Sequence, residues 1–267
     1  MLRVVHLAGL AILLLRMCVT APALGEDLFF NSDGLKIRYT IDGQGPPVVL
    51  IHGYTASGDL NWRLTAVIGL LGKNYRVITL DNRGHGKSDK PRDVDQYGPK
   101  MAEDVVRLMD HLHLESAHLV GYSMGGMITL KLLAMHADRV RSAVIGGMGW
   151  TELPANGQLA QTAEKLTDLE PLRACALSFP LLGITREELV AVKVPTIIVI
   201  GADDGLLTRR VEPLRKVRPD LPIVQVAGAN HAGCIFRPEF RQTIKEFLDK
   251  QVLESSLPKQ PADPSDQ

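Results

Sequence analysis

The sequence predicts a doubly wound α/β chain built on a mostly parallel sheet, and three observations carry that prediction. Short apolar runs recur along the chain, stretches of helical spacing separate them, and a chemical motif stands directly after one of the runs. Residues 35–41 alternate apolar and polar side chains, as a half-exposed strand does, and the glycines and prolines of 42–47 form a turn cluster. The runs at 48–51, 77–80, 118–120, 143–145, 196–200 and 223–226 lack such alternation, which suits strands covered on both faces. Between them, Pro99 opens a helix whose Met101, Val105, Leu108 and Leu112 gather on one face. Residues 124–137 and 238–253 also read as helices. Strand then helix, repeated with right-handed crossovers, places ligands beyond the carboxyl ends of the strands.

The chain has 267 residues, 45% of them hydrophobic, with 30 basic and 30 acidic side chains. That apolar content excludes a wholly disordered chain, and the zero net charge leaves no electrostatic footprint for nucleic acid or an anionic membrane. Three cysteines are too few for a disulfide scaffold, and none stands in a Cys-x-x-Cys pair.

Residues 1–25 read as a signal peptide: Arg3, an apolar run over 4–15, then small residues over 21–25. The run is shorter than the roughly 20 residues that span a bilayer. The expected product is therefore secreted or periplasmic, without a stable membrane anchor after cleavage; an N-terminal anchor is the alternative. Cleavage leaves a net charge of −2 and two cysteines, Cys175 and Cys234, either bonded or free. The domain proper is expected over 26–253. Within it, 150–192 holds no strand-like run but three helical spacings, at Leu159, Ala163 and Leu166, at Leu172, Cys175, Ala176 and Phe179, and from a capping box at Thr185 and Glu188. This reads as a small helical cap inserted after the sixth strand; an ordinary crossover made of several helices is the alternative. Residues 254–267 are polar and proline-containing, and read as a disordered tail.

The strongest chemical signal is Gly121-Tyr-Ser-Met-Gly125, placed after a strand and before a helix. It is the Gly-x-Ser-x-Gly nucleophile elbow in its expected context. A sharp turn forces Ser123 into a strained conformation and leaves no room for side chains at the flanking glycines; Gly126 extends that clearance. A serine hydroxyl needs a base, and the base needs a carboxylate, in the chain order Ser, acid, His. Of the eight histidines, His231 alone lies beyond both the elbow and its helix. The acid should end the preceding strand, where Asp203 and Asp204 are adjacent; extended, they diverge, and only one can face His231. For the oxyanion hole, the amides of Met124, after the nucleophile, and Tyr54, after His52-Gly53, are the candidates. His52 reads as a hydrogen-bonding residue of the strand end.

Taken with Asp81-Asn-Arg-Gly-His-Gly-Lys-Ser88, these segments resemble the α/β-hydrolase fold superfamily, and within it the small serine esterase, lactonase and cofactor-free haloperoxidase-like branch. His52-Gly53 with Tyr54 and Trp62, Gly121 to Gly126, the stretch 195–204 and Gly228-Ala-Asn-His231 carry the likeness over almost the whole mature chain. It implies a structural role for the loop at Arg83 and an acid three residues beyond Gly201, which is Asp204; the cap is shorter than those of many relatives. Similar dehalogenases and epoxide hydrolases place aspartate at the elbow, so Ser123 argues against both activities.

Other motifs fail. Gly84-His-Gly-Lys-Ser88 would need a glycine at Asp81 to be a phosphate loop, and His111 and His113 do not share a helix face for a metal. The expected protein is a carboxylesterase-like serine hydrolase using Ser123, His231 and Asp204 on a small-molecule ester or lactone, with no cofactor and no metal. A carbon–carbon bond hydrolase, a perhydrolase and a non-catalytic ligand-binding relative are the alternatives.

Overall fold

The computed structural model describes residues 25–153 and 170–256. Residues 1–24 of the signal-peptide reading over 1–25, the helical spacing at Leu159, Ala163 and Leu166, and the tail from 257 onward lie outside the described residues.

The described residues form an eight-stranded sheet of order β1-β2-β4-β3-β5-β6-β7-β8. The strands are β1 (Leu28–Ser32), β2 (Leu35–Asp42), β3 (Pro47–Ile51), β4 (Arg76–Leu80), β5 (Ala117–Tyr122), β6 (Val140–Gly146), β7 (Thr196–Gly201) and β8 (Ile223–Val226). β1, β2 and β4 pair antiparallel at one edge, and every pairing from β4 to β8 is parallel. The chain leaves β3 for β4 on one side and then returns to β5 on the other. The carboxyl ends of β3 and β5 therefore flank a reversal of winding, where a crevice opens in such sheets.

The apolar runs fill both faces. Val49, Ile51, Leu119 and Ile145 pack with helices α2 (Pro99–His111) and α3 (Met124–Met135); Val48, Leu50, Val120 and Val144 pack with α1 (Val67–Leu71) and the C-terminal helix. Alternate residues of one strand thus serve opposite cores. Met101, Val105 and Leu108 of α2 are fully buried, as their spacing predicts. Cys175 lies in the first core and Cys234 in the second, both free, and burial pushes each thiol up to about 12, which leaves them packing groups.

Between β6 and β7 the described part of the cap region holds α4 (Pro171–Leu177), a 3-10 turn over Phe179–Leu182 and α5 (Arg186–Ala191). Thr185 and Glu188 form the reciprocal capping box at the start of α5. Helix α6 (Glu212–Val217) follows β7, and α7 (His231–Cys234) and α8 (Pro238–Ser256) close the chain. No helix of the described residues is long and apolar enough to cross a membrane.

Three readings are corrected. Strand β1 was not expected; it pairs with β2 through a two-residue turn in which Asp33 has φ 53° and Gly34 φ 83°, the left-handed pair that an Asp-Gly hairpin favours. Helix α3 ends at Met135, two residues early, with His136 as its cap. Helix α8 runs past Leu253 to Ser256, so the expected tail loses residues 254–256. Those residues bury nothing, but Lys250 pairs with Glu254 at 3.7 Å and the Ser255 hydroxyl donates to the Val252 carbonyl, which extends a helix already nucleated.

His118 is buried beside Ser142, its Nδ1 2.8 Å from the serine Oγ. Burial, then the charge of Arg141, lowers its pKa to about 4. The unfolded ring titrates near 6.5, so the stability held by the neutral ring is complete above that pH and is lost as pH falls toward 4. Denaturant unfolding at pH 5 should show a loss on the order of 2 kcal/mol from this group relative to pH 7.5. His118→Gln should show a shallower pH dependence; an unchanged slope would contradict the assignment.

Candidate active site

Ser123 sits between the end of β5 and the first residue of α3 with φ 54° and ψ −115°, a left-handed conformation that costs a serine roughly 1–3 kcal/mol. The turn is tight because backbones touch. A Cβ on Gly121 would lie 2.1 Å from the Gly125 carbonyl oxygen, and one on Gly125 would lie 2.0 Å from the Ile51 carbonyl oxygen. The Ser123 amide donates to the Gly146 carbonyl at 2.8 Å, which ties the elbow to the end of β6.

The other two predicted residues meet it across the carboxyl edge of the sheet. His231 Nε2 lies 2.9 Å from Ser123 Oγ, and His231 Nδ1 lies 2.7 Å from Asp204 Oδ2. A carboxylate only accepts hydrogen bonds, so Nδ1 carries the proton and Nε2 offers a lone pair to the serine hydroxyl. Asp204 is buried, and its second oxygen accepts the Leu206 amide at 2.9 Å; Asp203 is exposed. Backbone contact decides this arrangement too: a Cβ on Gly201 would lie 2.0 Å from the Ala229 carbonyl oxygen, so only glycine lets the loop of His231 abut the strand that ends beside Asp204. The loop is held by the Tyr122 hydroxyl, which donates to the His231 carbonyl, and by Asn230, whose side chain accepts the Gly233 amide at 2.8 Å.

Gly53 packs against the elbow: a Cβ there would stand 3.3 Å from Ser123 Cβ. Among the described residues, the Tyr54 and Met124 amides donate to no protein group, so both candidate oxyanion donors are free. His52 Nδ1 donates to the Gly53 carbonyl at 2.7 Å while its Nε2 accepts the Asn82 amide at 2.9 Å. Burial, then neighbouring His85, holds His52 neutral by lowering its pKa. Asn61 was missed by sequence reading: its Oδ1 accepts the Gly53 amide at 2.7 Å and sets the course of the chain into Tyr54. Nothing marks it in sequence, because the contact depends on how the π-helical turn Asp59–Arg63 folds back.

A cavity of about 440 Å³ opens at Ser123, within the range of small-ligand sites. Met124, Met127, Met148, Phe179 and Leu206 give it an apolar lining, while Thr151, Glu152 and Arg210 add polar atoms. Tyr54 bridges to the cap region, its hydroxyl donating to the Leu172 carbonyl at 2.9 Å and its ring meeting Phe179 edge to face at 5.2 Å. A wider groove of about 700 Å³ lies at the opposite, amino-terminal end of β7 and carries none of the predicted site residues.

His111 bonds the Tyr39 hydroxyl at 3.1 Å and His118 faces Ser142. Arg83 is fully buried and forked onto Asp104 at 2.7 and 2.6 Å, as a structural loop requires.

Residues 46–161 match the α/β hydrolase fold family. The chain is 34% identical to 2-hydroxymuconate semialdehyde hydrolase of Pseudomonas sp. over 50% of this chain and 47% of that one. It is 27% identical to 3-oxoadipate enol-lactonase 1 of Acinetobacter baylyi over 82% of this chain and 95% of that one. The chain spans half or less of the length of several curated relatives that it matches. Among solved structures, the enol-lactonase of Burkholderia xenovorans superposes with a TM-score of 0.63 at 22% identity, covering 83% of this chain and all of that one. Sheet order, the family match over residues 46–161 and the likeness to the solved structure together show that this chain has the α/β-hydrolase fold.

Proposed function

We propose that the protein is a serine hydrolase that cleaves carboxylic esters through an acyl-enzyme. The observation that carries this reading is the continuous chain of hydrogen bonds from Asp204 through His231 to Ser123 at the mouth of an apolar cavity. Ser123 Oγ attacks the ester carbonyl as His231 Nε2 takes its proton, and Asp204 stabilises the resulting imidazolium. The carbonyl oxygen gains negative charge and is met by the amides of Tyr54 and Met124, the latter at the positive end of α3. His231 returns the proton to the departing alcohol. Water then adds to the acyl carbonyl, giving its proton to the same imidazole; the tetrahedral adduct collapses, the carboxylic acid leaves, and Ser123 regains its hydrogen.

The test is intact-mass analysis after treatment with a fluorophosphonate, which an activated serine attacks with loss of fluoride. One adduct is expected, absent in Ser123→Ala; an unmodified folded protein would overturn the proposal. An ester and lactone panel then separates the two substrate forms. With the preferred substrate, Asp204→Asn should lower kcat by about 10⁴-fold while Asp203→Asn stays within about twofold. Asn61→Ala should lower kcat by roughly tenfold with little change in KM, because the free amide of Tyr54 loses its placement, and Asn61→Asp, which keeps the acceptor, should restore most of it.

A further inference from the structure

We infer that the natural substrate carries a carboxylate away from the scissile ester, and that Arg210 holds it with the Thr151 hydroxyl; this inference rests on the serine-hydrolase reading above. The two residues line the cavity at Ser123.

Arg210 is half-buried, yet among the described residues its guanidinium makes no hydrogen bond and no ion pair. Its neighbour behaves otherwise: Arg209 Nε donates to the Gly205 carbonyl at 3.0 Å. Glu152 lines the same cavity but is exposed and forms no ion pair with Arg210. A guanidinium partly withdrawn from water, with its donors unspent, is suited to an anion brought in by a ligand, and its planar fork matches a carboxylate with two parallel bonds.

Thr151 supplies a second, independent observation. Among the described residues its Oγ1 is buried with no hydrogen-bond partner, a condition that native proteins rarely tolerate without a reason. The two groups belong to walls that are locked together. The Trp150 amide donates to the Arg210 carbonyl at 3.0 Å, and a Cβ on Gly149 would lie 2.4 Å from that same oxygen. Arg210 itself stands in a π-helical turn, Leu207–Val211, three residues beyond Asp204. Such turns carry an extra residue and recur at functional sites. One guanidinium and one hydroxyl suit a single negative charge, while the apolar lining accommodates the carbon chain between that charge and the ester.

The experiment compares kcat/KM within two matched pairs. Monomethyl adipate against methyl hexanoate places the carboxylate on the acyl side, and 4-acetoxybutanoate against butyl acetate places it on the alcohol side. In at least one pair, the wild type should favour the acid over its neutral partner by about tenfold or more, and Arg210→Gln should reduce that ratio by roughly tenfold to a hundredfold. Arg210→Lys should retain part of the ratio, and Thr151→Val should lower it by a smaller factor. Equal ratios in wild type and Arg210→Gln for both pairs would overturn the inference while leaving ester hydrolysis intact. Should no ester turn over, the serine-hydrolase reading fails, and calorimetric binding of both acids to Ser123→Ala decides the inference separately. Weaker binding with Arg210→Gln added supports it; equal binding, or none, overturns it.

Discussion

Backbone-to-backbone contact at the carboxyl edge of the sheet is the constraint on which the rest of this structure depends. Gly125 lies against the Ile51 carbonyl, Gly121 against the Gly125 carbonyl and Gly201 against the Ala229 carbonyl, each so close that a Cβ would fall within about 2.1 Å of an oxygen. These contacts draw the ends of β3, β5 and β7 and the loop after β8 into one small volume. Three side chains from three distant stretches of sequence can then form one hydrogen-bonded chain. The strain at Ser123 persists because the buried α3 and the tie from its amide to Gly146 over-determine the turn.

Burial then sets the chemistry of each group. Asp204 is removed from water but satisfied by two donors, so it holds the histidine in one tautomer; His231 is left partly exposed, with its Nε2 toward Ser123. Beneath the site, charges are consumed by the scaffold. Arg83 and Asp104 neutralise one another while the Ser32 hydroxyl donates to the same carboxylate, and Arg38 reaches Asp27, Asp59 and Asp81. Such pairs are costly to break once buried, which makes them fixtures for the loops around the site. The guanidinium of Arg210, in the cavity wall, makes no such pair among the described residues.

Much of the fold was legible because parallel strands buried on both faces leave continuous apolar runs and α2 leaves an apolar stripe. β1 escaped notice because its residues alternate weakly and Phe29 remains half-exposed, although Asp33-Gly34 carried a hairpin signal that could have found it. The three extra residues of α8 were hidden for a different reason: polar side chains extend a helix through local bonds, without an apolar pattern.

The sequence by itself determined the elbow and the chain order of nucleophile, acid and base, because a local turn chemistry and the winding of the sheet constrain both. It left Asp203 and Asp204 even on physical grounds, since adjacent residues share every local property, and gave no sign of Asn61, Thr151 or Arg210. Only the tertiary structure turned Asp204 toward His231 and Asp203 to solvent, and only it brought the Asn61 oxygen to the Gly53 amide. The physical reason is common to all of them: a side chain's partners at this edge are set by how closely the backbones of distant segments approach, and that distance is not written in any one of them.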